Sequence, residues 1–177
     1  MASKILKKTW LIAAILIIVV GVIVGIMLTR NSSNPSDFTL PIITWNETSL
    51  SAFEGTPVVL NFWSIGCSWC RYQLPFFEDV ALQNEEEIKV VSINVADNTE
   101  NIQRFFGDYE PAMIIAVDEN RETFADYCLA YNNTRGSIPF TLFIDSEGLV
   151  QYVKIGAFIS ETELWNTLHD IFGTTIP

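Results

Sequence analysis

The run Val58-Val59-Leu60-Asn61-Phe62-Trp63 is apolar at every position but one and carries no charge. A short, nearly continuous run of this kind is expected of a strand buried on both faces of a parallel sheet. Such a strand needs a layer of helices on each side. The chain supplies them in alternation. Residues 67–82 read as a helix, and Lys89 to Val95 as a second strand. Asp97-Asn98-Thr99-Glu100 opens a second helix with a cap-like spacing, ahead of Ile102, Phe105 and Phe106 on one face. Met113 to Val117 is a third strand, and Glu122 to Tyr131 a third helix with Phe124, Tyr127, Cys128 and Tyr131 on one stripe. Phe140 to Ile144 and Leu149 to Ile155 flank the turn signal Asp145-Ser146-Glu147-Gly148, as antiparallel strands do. Ser160-Glu161-Thr162-Glu163 is a capping box, followed by the apolar stripe Leu164, Trp165, Leu168, Ile171 and Phe172. The expected class is α/β, a central mixed sheet with helices on both faces.

A different kind of segment precedes this domain. Residues 10–28, WLIAAILIIVVGVIVGIML, contain no charge over 19 positions, and at about 1.5 Å per residue they match the roughly 30 Å of a bilayer's hydrocarbon core. A cleaved signal has a shorter apolar region and a small-residue cleavage site, whereas Met27-Leu28-Thr29-Arg30 follows here. Residues 10–28 are therefore expected to be a transmembrane signal anchor. Lys4, Lys7 and Lys8 lie before it and Arg30 alone just after, which places residues 1–9 in the cytoplasm and the rest outside. Residues 29–37 read as a linker and 38–177 as the extracytoplasmic domain, in a single-pass cell-membrane protein. Six basic residues beyond residue 30 stand against all 21 acids, so that part carries −15. Such a balance excludes nucleic-acid binding by charge.

Cys67 and Cys70 carry the chemistry. If Cys67 lies where the strand ending at Trp63 gives way to a helix, unpaired N–H groups and the helix dipole stabilise its thiolate. A thiolate is the nucleophile of disulfide exchange. Cys70 falls on the same face of the first turn and can close a disulfide with it. Cys67 is then the attacking and Cys70 the resolving cysteine. A zinc site would need four ligands, and only Cys128 and His169 remain, so no metal and no cofactor are expected. Cys128 lies on an apolar helix stripe as a buried, inert thiol, and His169 on the last helix without chemistry. A purely structural disulfide closing so short a loop would remove little unfolded-state entropy.

The segments LNFWSIGCSWCRYQLP and SIPFTLFIDSEGLV, with the strand and helix between them, make residues 38–173 resemble the thioredoxin fold. Within it the chain is similar to the TlpA/ResA-like membrane-anchored thiol-disulfide oxidoreductases. The resemblance implies a cis-proline at Pro139 beside the cysteines, with the Ile138 backbone presented to a bound substrate segment. It also implies that Trp63, Ser68 and Trp69 belong to the substrate-binding surface and that Pro75 kinks the active-site helix. The expected partners are exported disulfide-containing client proteins and a membrane thiol electron donor of the CcdA/DsbD type. Apocytochrome c is a family-typical client, but no residue here singles it out.

The chain departs from that pattern in three places. Gly66 stands where a tryptophan usually precedes the first cysteine, and Trp69 where proline often precedes the second. At the position of the buried acid that helps move the second cysteine's proton, the chain carries Asn61 on the strand and Gln73 on the helix. An amide can hydrogen-bond a thiol but cannot take its proton near neutral pH. The function expected from the sequence is reduction of client disulfides through Cys67 and Cys70. The alternatives are net oxidation or isomerisation by the same pair, or a weakly active thioredoxin-fold module that binds clients.

Overall fold

The computed structural model describes residues 34–174 except 45 and 85. The expected membrane span, residues 10–28, lies outside them. No helix among the described residues is long and apolar enough to cross a membrane.

The central sheet has five strands in the order β5-β4-β3-β6-β7: β3 (Val58–Trp63), β4 (Lys89–Asn94), β5 (Ile114–Val117), β6 (Phe140–Ile144) and β7 (Val150–Ile155). β3, β4 and β5 run parallel, β6 runs antiparallel to β3, and β7 antiparallel to β6. Every residue of β3 is buried, as its near-continuous apolarity requires. Its alternate side chains serve opposite faces. Val59 and Trp63 pack with Leu74 and Phe77 of α1 (Ser68–Gln83), Ile102 of α2 (Thr99–Phe106), and Leu164 and Leu168 of α4 (Glu161–Phe172). Val58, Leu60 and Phe62 pack with Phe124 and Tyr127 of α3 (Glu122–Ala130). Helices thus cover both faces, three on one and one on the other.

The thinner face is completed by an element the sequence pattern did not show. β1 (Thr39–Pro41) and β2 (Glu47–Ser49) form an antiparallel hairpin, followed by a short 3-10 turn over Leu50–Phe53. Phe38 and Leu40 pack beside α3, and Tyr127 donates its hydroxyl to the Ser36 carbonyl at 2.7 Å. Beyond β1 the chain covers the β5 edge, where the Ile43 N–H donates to the Ile115 carbonyl at 3.1 Å. The hairpin therefore shields a strand edge that would otherwise be open to pairing.

The last helix starts as its sequence implies, with one difference. Ser160 Oγ accepts the Glu163 N–H, but the Glu163 carboxylate reaches back to the Ile159 N–H at 2.8 Å rather than to that of Ser160. Its other oxygen accepts from Lys154 Nζ on β7 at 2.6 Å. Lys154 chiefly, and the Ile159 N–H after burial's opposing effect, hold the Glu163 carboxyl below its ordinary range. A depressed carboxylate pKa stabilises the fold above the unfolded-state value and loses that contribution as pH falls through the folded value. Lys154→Ala should therefore cost no more than about 1 kcal/mol at neutral pH, because the pair is only partly buried. Urea titrations should show wild type and variant converging as the medium is acidified below the ordinary glutamate range.

Candidate active site

At the carboxyl end of β3 the chain turns through Ser64, Ile65 and Gly66 before entering α1. Two contacts fix that turn. The Cys67 N–H donates to the Ser64 carbonyl at 3.2 Å, and the Ile65 N–H donates to Asp97 Oδ2 at 2.9 Å. Asp97 is held in turn by Asn94 Nδ2 at 3.0 Å, so the end of β4 sets the position of the loop before Cys67. The sequence placed Asp97 at the opening of α2; the cap there is Asn98, whose Oδ1 accepts the Asn101 N–H. Asp97 instead serves the active-site turn, across a separation of 32 residues.

Cys67 is the N-cap of α1, and its sulfur accepts the Cys70 N–H at 3.1 Å. One of the helix's unpaired donors is thereby aimed at the nucleophile, the arrangement that stabilises a thiolate. Cys67 and Cys70 are joined in a disulfide, with Cα atoms 5.2 Å apart. The two differ in access: Cys67 is half-buried and Cys70 fully buried. Of the two sulfurs, only that of Cys67 is accessible. Across from it, the Ile138–Pro139 peptide bond is cis, and the Ile138 carbonyl oxygen lies 3.9 Å from Cys67 Sγ. Ile138 is half-buried and Pro139 buried. Pro75 lies inside α1, where it removes one backbone donor.

Ser68 and Trp69, between the cysteines, are exposed, and the Trp69 ring meets Tyr72 edge-on at 5.7 Å. Tyr72 donates its hydroxyl to the Ile159 carbonyl at 3.0 Å and packs edge-on against Phe76. An exposed ridge of Trp69, Tyr72 and Ile159 therefore adjoins the nucleophile. Tyr72 and Ile159 were not legible as site residues, because 87 residues separate them along the chain.

Trp63 requires a correction. The sequence placed it on the substrate-binding surface, yet it is fully buried, with its ring 5.6 Å from Phe105 and 6.0 Å from Phe106. It faces the helix layer formed by α1 and α2 because it lies two residues beyond Asn61 on the same side of β3. Trp63 supports the site from beneath and contributes nothing to its exposed surface. Cys128 is also less enclosed than expected: it is half-buried, on the sheet face opposite the Cys67–Cys70 pair. Burial pushes its thiol up, with Arg121 and Asn133 opposing. His169 lies in the last turn of α4, with Nδ1 2.8 Å from the Thr174 carbonyl oxygen.

Asn61 and Gln73, at the expected proton-transfer position, are both fully buried and bonded to each other. Gln73 Nε2 donates to Asn61 Oδ1 at 3.0 Å. Asn61 Nδ2 donates to Ser92 Oγ at 3.0 Å, and Thr141 Oγ1 donates to Asn61 Oδ1 at 3.3 Å. Gln73 Oε1 accepts the Phe158 N–H at 2.9 Å. This chain of amides and hydroxyls ties α1 to three strands and to the turn before α4. Among the described residues no carboxylate takes part in it.

The arrangement suits thiol–disulfide exchange: an accessible sulfur at a helix N-terminus, a buried partner one turn on, and a backbone carbonyl facing the pair. Comparison with known proteins agrees. Thioredoxin-like protein YneN of Bacillus subtilis is 29% identical over 164 residues, covering 84% of this chain and 91% of its own length. Thiol-disulfide oxidoreductase ResA of Geobacillus thermodenitrificans is 24% identical over 130 residues, covering 73% of this chain and 71% of its own. Among solved structures, StoA from Bacillus subtilis superposes with a TM-score of 0.59 at 22% identity, over 73% of this chain and 94% of that one. A secreted Mycobacterium tuberculosis disulfide oxidoreductase superposes at 0.64 and 21% identity, over 75% and 95%. These structural likenesses establish the thioredoxin-like fold. With its Cys-X-X-Cys centre and thiol-disulfide oxidoreductase relatives, the chain is an enzyme of thiol–disulfide exchange. The AhpC/TSA family matches residues 33–153, more than half of the sequence, and the chain belongs to that family.

Proposed function

We propose that the protein is a membrane-anchored reductase of disulfides in exported client proteins. The observation that carries this reading is the asymmetry of the pair: Cys67 is accessible at a helix N-terminus, while Cys70 is buried behind it. Cys67 attacks a client disulfide, and Cys70 then displaces the client and closes the Cys67–Cys70 bond. Ser68, Trp69 and Ile138 form the surface on which the client segment lies, and the buried Pro139 holds the Ile138 carbonyl toward it. The anchor is supported by the uncharged run of residues 10–28, and an outward domain by the charge bias around it. A dedicated reductase in an oxidising space needs electrons from the cytosol, hence a membrane thiol donor of the CcdA/DsbD type. Cytochrome c maturation is one pathway such a reductase would serve.

Two measurements test the reading. The full-length protein with dithiothreitol should precipitate insulin well above the dithiol alone, and a rate equal to the dithiol alone would overturn the reductase activity. In intact cells briefly treated with a membrane-impermeant phosphine reductant, a membrane-impermeant maleimide should label Cys67 in a Cys70→Ser, Cys128→Ser background. Labelling only after lysis would overturn the outward placement.

A further inference from the structure

Before Cys70 can release a client it must become a thiolate, and its surroundings offer the proton no acceptor. The residue is fully buried, so its proton can leave only to a neighbouring group or to solvent that penetrates the site. The polar residue one helical turn on, Gln73, accepts the Phe158 N–H and, being an amide, cannot take a proton near neutral pH. The Asn61 oxygen already accepts from both Gln73 and Thr141.

Charged groups on the elements packed around Cys70 are engaged or exposed. On α1, Arg71 is exposed, and Asp79 lies nine residues further on, about 13 Å along the helix. Also on α1, the buried Glu78 carboxylate accepts from the Tyr109 hydroxyl and the Ala112 and Met113 N–H groups. Asp97 is bound to Ile65 and Asn94. Lys154 of β7 is paired with Glu163 of α4, and Glu161 of α4 accepts from Trp165 Nε1. Glu100 and Arg104 of α2, and His169 and Asp170 of α4, are exposed, and Lys89 opens β4 at the end away from the site. Among the described residues, none of these groups hydrogen-bonds to Cys70.

We propose that release of the client, rather than attack on it, limits turnover, and that Gln73 is the positioning residue responsible. Held by Asn61 and Phe158, Gln73 sets a neutral amide, which takes no proton near neutral pH, one helical turn from Cys70. This inference rests on the exchange reading above and deepens it. In the first step the Cys67 thiolate attacks one sulfur of the client disulfide; a Cys67–client bond forms and the other client sulfur leaves as a thiolate. In the second, solvent hydroxide removes the Cys70 proton, and the Cys70 thiolate attacks Cys67 Sγ. The Cys67–Cys70 bond forms, the Cys67–client bond breaks, and the second client thiolate leaves. Two electrons have passed from the dithiol to the client. The reverse path meets the same obstacle, since Cys70 must regain a proton from solvent when a donor thiolate opens the pair. The mixed disulfide is consequently long-lived, and its lifetime is set by pH.

The test follows both thiolates released when the reduced full chain, carrying Cys128→Ser, reacts with dithiobis(nitrobenzoate) in a stopped-flow mixer. One equivalent should appear in a fast phase and the second in a slow phase whose rate rises about tenfold per pH unit between about pH 6 and 8, following the thiolate fraction. Gln73→Glu should flatten that profile and speed the slow phase at least about tenfold at the acid end, with the fast phase unchanged. Should Gln73→Glu fail to fold, Gln73→Asp is read in its place; a folded variant whose slow phase keeps the wild-type pH profile would overturn the role of Gln73. A single phase for both thiolates, or a slow phase independent of pH, would overturn the proposal. Absence of any fast phase would instead overturn the role of Cys67, and with it the exchange reading itself.

Discussion

Cys70→Ser should turn the protein into a trap, and Cys67→Ser should silence it. In Cys70→Ser the accessible sulfur at the start of α1 still attacks, but nothing displaces the client, so disulfide-linked adducts should accumulate on Cys67 and disappear with dithiothreitol on a gel. In Cys67→Ser the nucleophile is gone, and insulin reduction should fall on the order of a thousandfold or more. That loss is not a folding effect. Serine is a favoured N-cap, and its hydroxyl can accept the Cys70 N–H as the Cys67 sulfur does at 3.1 Å. The lost disulfide closes a loop of sequence separation 3, worth about 2 kcal/mol or less. Urea midpoints of reduced wild type and Cys67→Ser should nearly coincide. Adducts on Cys70 in the Cys67→Ser protein would contradict the assignment, because Cys70 is fully buried. Mass spectrometry of the Cys70→Ser adducts formed in the native host should name the proteins linked to Cys67.

The features legible from the sequence are those with a local cause. The apolar run of β3 and the alternation of elements produce a mixed sheet with helices on both faces, and the position of Cys67 after a strand makes it an N-cap. Ser160 caps α4 by contacts only three residues long. What could not be read arises from pairs distant along the chain. The β1–β2 hairpin uses strands of 3 residues, too short for a period to emerge. Asp97 looked like a helix cap because caps are local, whereas its partner Ile65 lies 32 residues away. Glu78 is an acid on a largely buried helix face, and its donors lie at Tyr109, Ala112 and Met113, on the segment leading into β5. Trp63 was misplaced because the resemblance assigns it to the contact surface, whereas strand alternation sends it beneath the helices. For Asn61 and Gln73 the residue types were evident, while their mutual bond, which occupies both side chains, appears only when α1 is laid on β3.

Phe62→Ala should strongly destabilise the domain and should also reach the active site. The Phe62 ring is fully buried at the centre of an aromatic cluster, 5.4 Å from Phe124, 5.3 Å from Tyr127 and 5.5 Å from Phe140. Removing it forfeits the transfer energy of the ring and leaves a cavity between two strands and a helix that cannot all close inward, a loss of about 3–5 kcal/mol. Against a typical total of about 5–15 kcal/mol, that is a large share of the fold's stability. Urea denaturation should register it as a lower midpoint at unchanged slope. Trp69→Ala, on the exposed ridge, should change stability by only about 0.5 kcal/mol or less. The two variants should then invert in function. Phe62 immediately precedes Trp63, from which the active-site turn departs, and it stacks on Phe140, which directly follows the cis Ile138–Pro139 bond. Loosening that stack frees both walls that face the Cys67 sulfur. Insulin reduction by Phe62→Ala at 25 °C should thus drop further than its unfolded fraction explains, whereas Trp69→Ala should weaken client binding and leave the rate of Cys67 attack on a small aryl disulfide intact. A loss below about 1.5 kcal/mol in Phe62→Ala would mean that the surrounding rings collapse into the space, and that this cluster does not hold the Pro139 loop against β3.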